Sequence, residues 1–324
     1  MVSQSDITYR LGGIPDHYGN DEVSQLVAQL LGLDVGAIWV RSLASHPFRE
    51  REKVATLNLR ERAWELENGT NEWTFHYTNP NSGEALDIVL DTNFIGITPL
   101  HGTPDERCDA CCIALSGLNA HAFGSFKARS DSFMWLRDAL PMDLPGSRMY
   151  IYGYDTSMVD SLSRQTILDL GLYFAENLKA LVGGSSSAPP KSLLLIGHSL
   201  GGLVLEQGQP NEGLISCLRM DSDFLELQQE DFATARSKMR NAQVIAFYET
   251  VDTPTVERDR ESQKWMMTGS PALLVSKSSA TMGCDATIPI NRNHSEIVKF
   301  PRQHNEYFVV VNRLRELRKL RCAR

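Results

Sequence analysis

The sequence predicts an α/β fold: a mostly parallel, doubly wound sheet over residues 86–324, preceded by a small α+β domain over residues 1–85. Three observations carry this expectation. From Asp109 onward, apolar strand-like runs alternate with helical stretches, which implies a parallel sheet covered on both faces. The stretch Lys191 to Gln207, KSLLLIGHSLGGLVLEQ, joins the apolar run Leu193–Ile196 to a helix start through Gly197-His198-Ser199-Leu200-Gly201. A serine on such a strand-to-helix turn sits in strained backbone geometry with its Oγ exposed above the sheet, and the flanking glycines avoid clashes. The first 60 residues, by contrast, read as a βαββ unit of ferredoxin-like or RNA-recognition-motif-like order.

Composition narrows the function classes. The chain has 324 residues, 42% of them hydrophobic, which is enough for one large core and a small one. No apolar run approaches a membrane span, and MVSQSDITYR lacks the layout of a signal peptide. The expected location is therefore cytoplasmic. The net charge of −8 argues against an extended nucleic-acid surface. Six cysteines do not suggest a disulfide scaffold. Cys108, Cys111 and Cys112 do not suggest a metal site either, because Cys111 and Cys112 lie within the apolar run ACCIAL.

In the amino-terminal part, Asp6–Leu11 is predicted as a strand and Asp21–Leu31 as a helix with its apolar stripe at Val23, Leu26, Val27, Leu30 and Leu31. Ala37–Leu43 and Lys53–Leu59 follow as strands. RNA binding would need exposed aromatics on the central strand. Lys53 to Leu59 offers none, and Trp39 on the neighbouring strand is expected in the core. A structural or partner-docking role is the favoured reading of this domain. Glu72–Tyr77 and Ala85–Leu90 are two further strands that either finish the small domain or begin the larger sheet.

In the larger domain, Asp109–Leu115 is a strand leading to Ser116-Gly117-Leu118-Asn119. Around a nucleophile elbow, the oxyanion hole uses the N–H after the nucleophile, here Leu200, and one from a loop after an earlier strand, here Leu118. His101-Gly102 looks like such a loop but runs into the polar stretch Thr103–Arg107 and is set aside. Met134–Pro141 reads as helix, Ser147–Tyr154 as strand and Ser163–Leu181 as amphipathic helix. Gln243–Tyr248 is a strand with Glu249 at its carboxyl end, where ligands bind in such sheets. Asp252 is the fallback acid. Leu273–Ser276 is predicted as the final strand, and Ile288-Pro289-Ile290 leads to Asn293-His294-Ser295.

Gly117-Leu118-Asn119, His121-Ala122-Phe123-Gly124, MWLRDALP, YGYD, GHSLGGLV, AFYET and NHSEIVKF stand in collinear order across about residues 90 to 315. This set resembles the lipase-like serine esterase domain of fungal proteins related to the serine active site-containing protein. The resemblance implies an α/β-hydrolase with a Ser-acid-His triad, which falls on Ser199, Glu249 and His294. It also allows peripheral contact with mitochondrial or endoplasmic reticulum membranes.

The chain departs from that pattern. Ser116-Gly117 replaces the usual His-Gly, the elbow helix is short, and a strand with a Gly-Thr-Pro-His-x-Gly loop is absent before the acid strand. Instead, Gly208–Gly213 runs directly into Leu214–Leu227, which reads as helix. The expected result is an unpaired strand edge in the core. The expected activity is cofactor-free hydrolysis of a carboxylic or lipid-like ester. The rival is an inactive hydrolase-like module docking a protein or membrane through the amino-terminal domain or the basic tail Arg313–Arg324.

Overall fold

The computed structural model describes residues 7–61, 63–67, 69–80, 82–104, 107–117, 120–129, 132–155, 165–183, 190–205, 242–258 and 265–320, together with 232, 234, 236 and 237. The chain is mixed α/β, with several separate sheets.

The first sheet is antiparallel and contains β1 (Thr8–Pro15), β2 (Ile38–Ser45), β3 (Glu52–Leu59), β4 (Glu72–Thr78) and β5 (Ala85–Asp91), in the order β2-β3-β1-β5-β4. Helix α1 (Asn20–Leu31) covers one face, placing Val23, Leu26, Val27 and Leu31 against Leu11, Leu57 and Leu90. Its apolar residues recur every three or four positions, which gathers them into one stripe. The two ambiguous strands therefore finish this sheet, so its last strand closes at Asp91 rather than at residue 85. Trp39 is a second correction. It is 45% exposed on β2, with the guanidiniums of Arg41 and Arg60 lying over its ring at 4.2 and 4.9 Å.

The second sheet contains β6 (Gly96–His101), β7 (Ala110–Leu115), β8 (Ser147–Gly153) and β9 (Ser192–Gly197), in the order β6-β8-β7-β9. β7 pairs parallel with both β8 and β9, while β6 adds an antiparallel edge. Alternating side chains serve two cores, as the strand period of two requires. Cys112, Ala114, Met149 and Ile151 face one core, which is built around Trp135. Cys111, Ile113, Leu115, Tyr150 and Tyr152 face the other. Helix α4 (Ile167–Gly183) covers that second face with Ile167, Leu170 and Phe174.

The expected helix at Met134–Pro141 is two short turns, α2 (Trp135–Asp138) and α3 (Leu140–Asp143), broken at Ala139. Trp135 packs edge-on against Phe126, Phe300 and Tyr307 and donates its indole N–H to the Val298 carbonyl at 2.9 Å. Tyr307 belongs to the closing helix α7 (Asn305–Arg318).

Beyond β9, helix α5 (Leu200–Leu205) is short, as expected. Strand β10 (Ile245–Glu249) pairs in parallel with β13 (Ala286–Ile290) in a separate two-stranded sheet. The predicted final strand at Leu273–Ser276 is not one. It links the hairpin β11 (Thr253–Arg258) and β12 (Trp265–Ala272) to the one-turn helix α6 (Lys277–Thr281), and β13 closes the strand series instead. Among the described residues, β9 pairs only with β7 and β10 only with β13. Leu195, in the middle of β9 at the end of this sheet among the described residues, is 39% exposed. The helix expected at Leu214–Leu227 lies outside the described residues. No described helix is long and apolar enough to cross a membrane.

Two arginines tie the sheets together. Arg10 of β1 binds Asp91 at 2.7 Å, the Ile95 carbonyl at 2.8 Å and Thr98 of β6 at 3.0 Å. Arg137 has a side chain only 1% exposed and holds both oxygens of Asp138, at 2.8 and 2.9 Å. It also donates to the Ser132 carbonyl and to Thr56 of β3. Removing one partner of a buried pair strands the other charge. Arg137→Ala is therefore expected to lower stability by about 3–5 kcal/mol, read as a reduced urea midpoint.

Candidate active site

Ser199 lies between the carboxyl end of β9 and the start of α5, with φ +54°. A left-handed conformation at a non-glycine residue costs on the order of 1–3 kcal/mol and persists only when the surroundings impose it. Here they do so by close backbone approach. A Cβ on Gly201 would stand 2.6 Å from the carbonyl oxygens of Leu115 and Ser116, and one on Gly197 would stand 2.6 Å from the Gly202 Cα. On Gly117, a Cβ would stand 2.9 Å from the Ser199 Cβ. Glycine is thus dictated at all three positions, and β7's end presses directly on the serine.

Glu249 ends β10, and its side chain is 3% exposed. Its Oε2 lies 2.7 Å from Nδ1 of His294, while its Oε1 accepts the N–H groups of Leu274 at 2.8 Å and Val275 at 3.3 Å. The segment expected as a strand thus serves as a cradle for the acid. With a carboxylate oxygen as the acceptor at Nδ1, the neutral tautomer of the ring carries its proton there and leaves the Nε2 lone pair open. Asp252 is exposed, and Glu249 occupies the position beside His294.

The His294 loop follows β13 and is fixed from several sides. Thr253 Oγ1 accepts the His294 N–H at 2.9 Å. His198 Nε2 donates to the His294 carbonyl at 2.8 Å, with the two rings 4.9 Å apart. Burial, with His294 beside it, holds the His198 imidazole down at about 4, so it is neutral near neutral pH and donates from Nε2. Its Nδ1 is buried without a partner among the described residues.

Ser199, His294, Gly117, His121, Ser125 and Lys299 line a common cavity of about 340 Å³. The structure therefore brings Ser199 and His294 to one cavity and joins Glu249 to His294. Leu200 is the first residue of α5, where an N–H has no intrahelical partner. Leu118 lies outside the described residues. His101 closes β6 and is not among the described residues lining this cavity, whereas His304 caps α7 by accepting the Glu306 N–H.

The supporting roles of His198, Thr253 and the Leu274–Val275 amides were not read from the sequence. They depend on chain segments far apart in number, and only the placement of His198 beside the nucleophile hinted at any of them. No protein-family model matches this chain, and no curated protein or solved structure matches it either.

Two outcomes follow from this geometry. Gly201→Ala is expected to cost about 1–3 kcal/mol, because its Cβ meets two fixed carbonyls, and chemical denaturation measures this. His198 is harder to protonate folded than unfolded, so its contribution is fully present above about pH 6.5. It is lost as pH falls toward 4, reaching roughly 3 kcal/mol. Stability measured from pH 7 to 4 should fall more steeply for the native chain than for His198→Asn.

Proposed function

We propose that the chain is a serine hydrolase of the α/β-hydrolase kind, cleaving a carboxylic ester through an acyl-enzyme. The observation that carries this reading is the Glu249–His294 contact at 2.7 Å beside a strained serine in one shared cavity. Such an arrangement is costly to maintain, and unrelated folds reach it for nucleophilic catalysis. The motif set that resembles the lipase-like serine esterase domain supports the same assignment.

In this reading, His294 Nε2 removes the Ser199 proton as Oγ attacks the acyl carbonyl. The N–H groups of Leu200 and Leu118 receive the charge that develops on the carbonyl oxygen. His294 then passes the proton to the departing alcohol, and a water activated by the same imidazole releases the acid. Glu249 holds the imidazole in the productive tautomer and balances the imidazolium. No cofactor takes part. The substrate is an ester or lipid-like ester reached from the cytoplasm or from a membrane surface.

Among the described residues β9 and β10 each pair on one side only, which favours a second reading, in which the same site is silent and the fold docks a partner protein or membrane surface.

The experiment is hydrolysis of short-chain nitrophenyl esters. Ser199→Ala should abolish turnover, and Glu249→Gln should lower kcat by roughly 10³ to 10⁴ with little change in KM. Equal turnover in native chain and Ser199→Ala would remove the proposal.

A further inference from the structure

Of the motifs that stand in collinear order, Tyr152-Gly153-Tyr154-Asp155 has no part in the triad. Its first two residues end β8, and Tyr154 follows directly. The Tyr154 side chain is buried in the cluster that also holds Leu115 of β7 and Leu200 and Val204 of α5. Its ring stacks on Tyr152 at 6.0 Å, and Tyr152 meets Phe174 of α4 edge-on at 5.0 Å. Gly153 fixes the backbone leading into it, because a Cβ there would stand 2.0 Å from the Phe94 carbonyl oxygen.

The Tyr154 hydroxyl donates to the Ser116 carbonyl at 2.5 Å. Burial raises the pKa of that hydroxyl, so it keeps its proton and remains a donor. Among the described residues no other donor reaches this carbonyl. Ser116 is itself 2% exposed, so water is a poor substitute. Because the peptide unit is planar, holding the Ser116 carbonyl also holds the N–H and Cα of Gly117.

That peptide unit is one wall of the nucleophile turn. A Cβ on Gly117 would meet the Ser199 Cβ at 2.9 Å, and one on Gly201 would meet the Ser116 oxygen at 2.6 Å. A single carbonyl is thus gripped between the tyrosine hydroxyl and the first turn of α5. The neighbouring Tyr152 hydroxyl, in contrast, is buried without a partner among the described residues. The two tyrosines share one core and differ in this one hydrogen bond.

We infer that Tyr154 is a positioning residue for the nucleophile turn: its hydroxyl fixes the Ser116–Gly117 peptide, and with it the backbone against which Ser199 stands. The effect on turnover rests on the hydrolase reading above, whereas the bracing of the turn stands on its own geometry.

The test pairs Tyr154→Phe with Tyr152→Phe in the full chain, and circular dichroism checks that both fold. In nitrophenyl butyrate hydrolysis, Tyr154→Phe should lower kcat about tenfold to a hundredfold with KM changed by less than about twofold. Tyr152→Phe should leave both within about twofold of the native chain. An unchanged kcat in Tyr154→Phe, or an equal fall in both variants, overturns the positioning role.

Hydrogen exchange of the fragment His198–Gly202 gives a readout that needs no turnover. In it the N–H groups of His198, Gly201 and Gly202 bond the carbonyls of Leu115, His198 and Ser199 at 3.1, 2.9 and 2.9 Å. Relative to α1, the fragment should exchange at least about tenfold faster in Tyr154→Phe and at the native rate in Tyr152→Phe. If the native chain cleaves no ester, the hydrolase reading fails and exchange alone decides. Selective loosening by Tyr154→Phe then keeps the bracing role, and equal exchange in the two variants removes it. If the chain cleaves the ester while kcat ignores the Tyr154 hydroxyl, the positioning role fails and the hydrolase reading stands.

Discussion

The backbone around Ser199 sets the terms for everything near it. The turn is gripped between the carboxyl end of β7 and the first turn of α5, at distances that leave no room for a Cβ on Gly117, Gly197 or Gly201. The serine is held at positive φ just beyond the carboxyl end of β9, and it shares a cavity with His294. Parallel pairing acts within each sheet. β7, β8 and β9 run in one direction, and so do β10 and β13 as a pair, so the acid at the end of β10 and the histidine just after β13 arrive on the same side of their sheet.

The remaining contacts of the site hold the His294 loop. Glu249 is held by two main-chain N–H groups, His294 by Thr253 and His198, and Val298 by the Trp135 indole. These contacts connect the histidine loop to the hairpin β11–β12, to the nucleophile turn and to the main core. Reorganisation in any of those elements would reach the His294 ring. His198 is kept neutral by its burial and by the His294 ring beside it.

Much of the fold and site was legible where chemistry is local. The apolar run before Gly197, the stripe of α1 and the Gly-x-Ser-x-Gly spacing each express a constraint within one element, and β9, α1 and the tight turn at Ser199 follow from them. Glu249 was legible because it ends an apolar strand, and His294 because it follows one. What escaped depends on contacts between distant segments. Trp39 has an apolar side chain in a strand, yet arginines over its ring let it face outward. Leu273–Ser276 has the composition of a strand, but two of its N–H groups are taken by Glu249 instead of a ladder. β6 begins at Gly96, contains Pro99 and sits at a sheet edge, the position where proline is tolerated and where periodicity is weakest. The stretch expected to lack a strand lies outside the described residues, and among the described residues β9 and β10 pair separately.

The central question is whether Ser199 and His294 act together as the proposed reading requires, since among the described residues their strands share no ladder. The most direct measurement is labelling of the full chain by a fluorescent fluorophosphonate, a reagent that needs both an activated serine and an assembled oxyanion hole. Native chain should label, while Ser199→Ala and heat-denatured chain should not. An unlabelled native chain that circular dichroism shows to be folded would contradict the account.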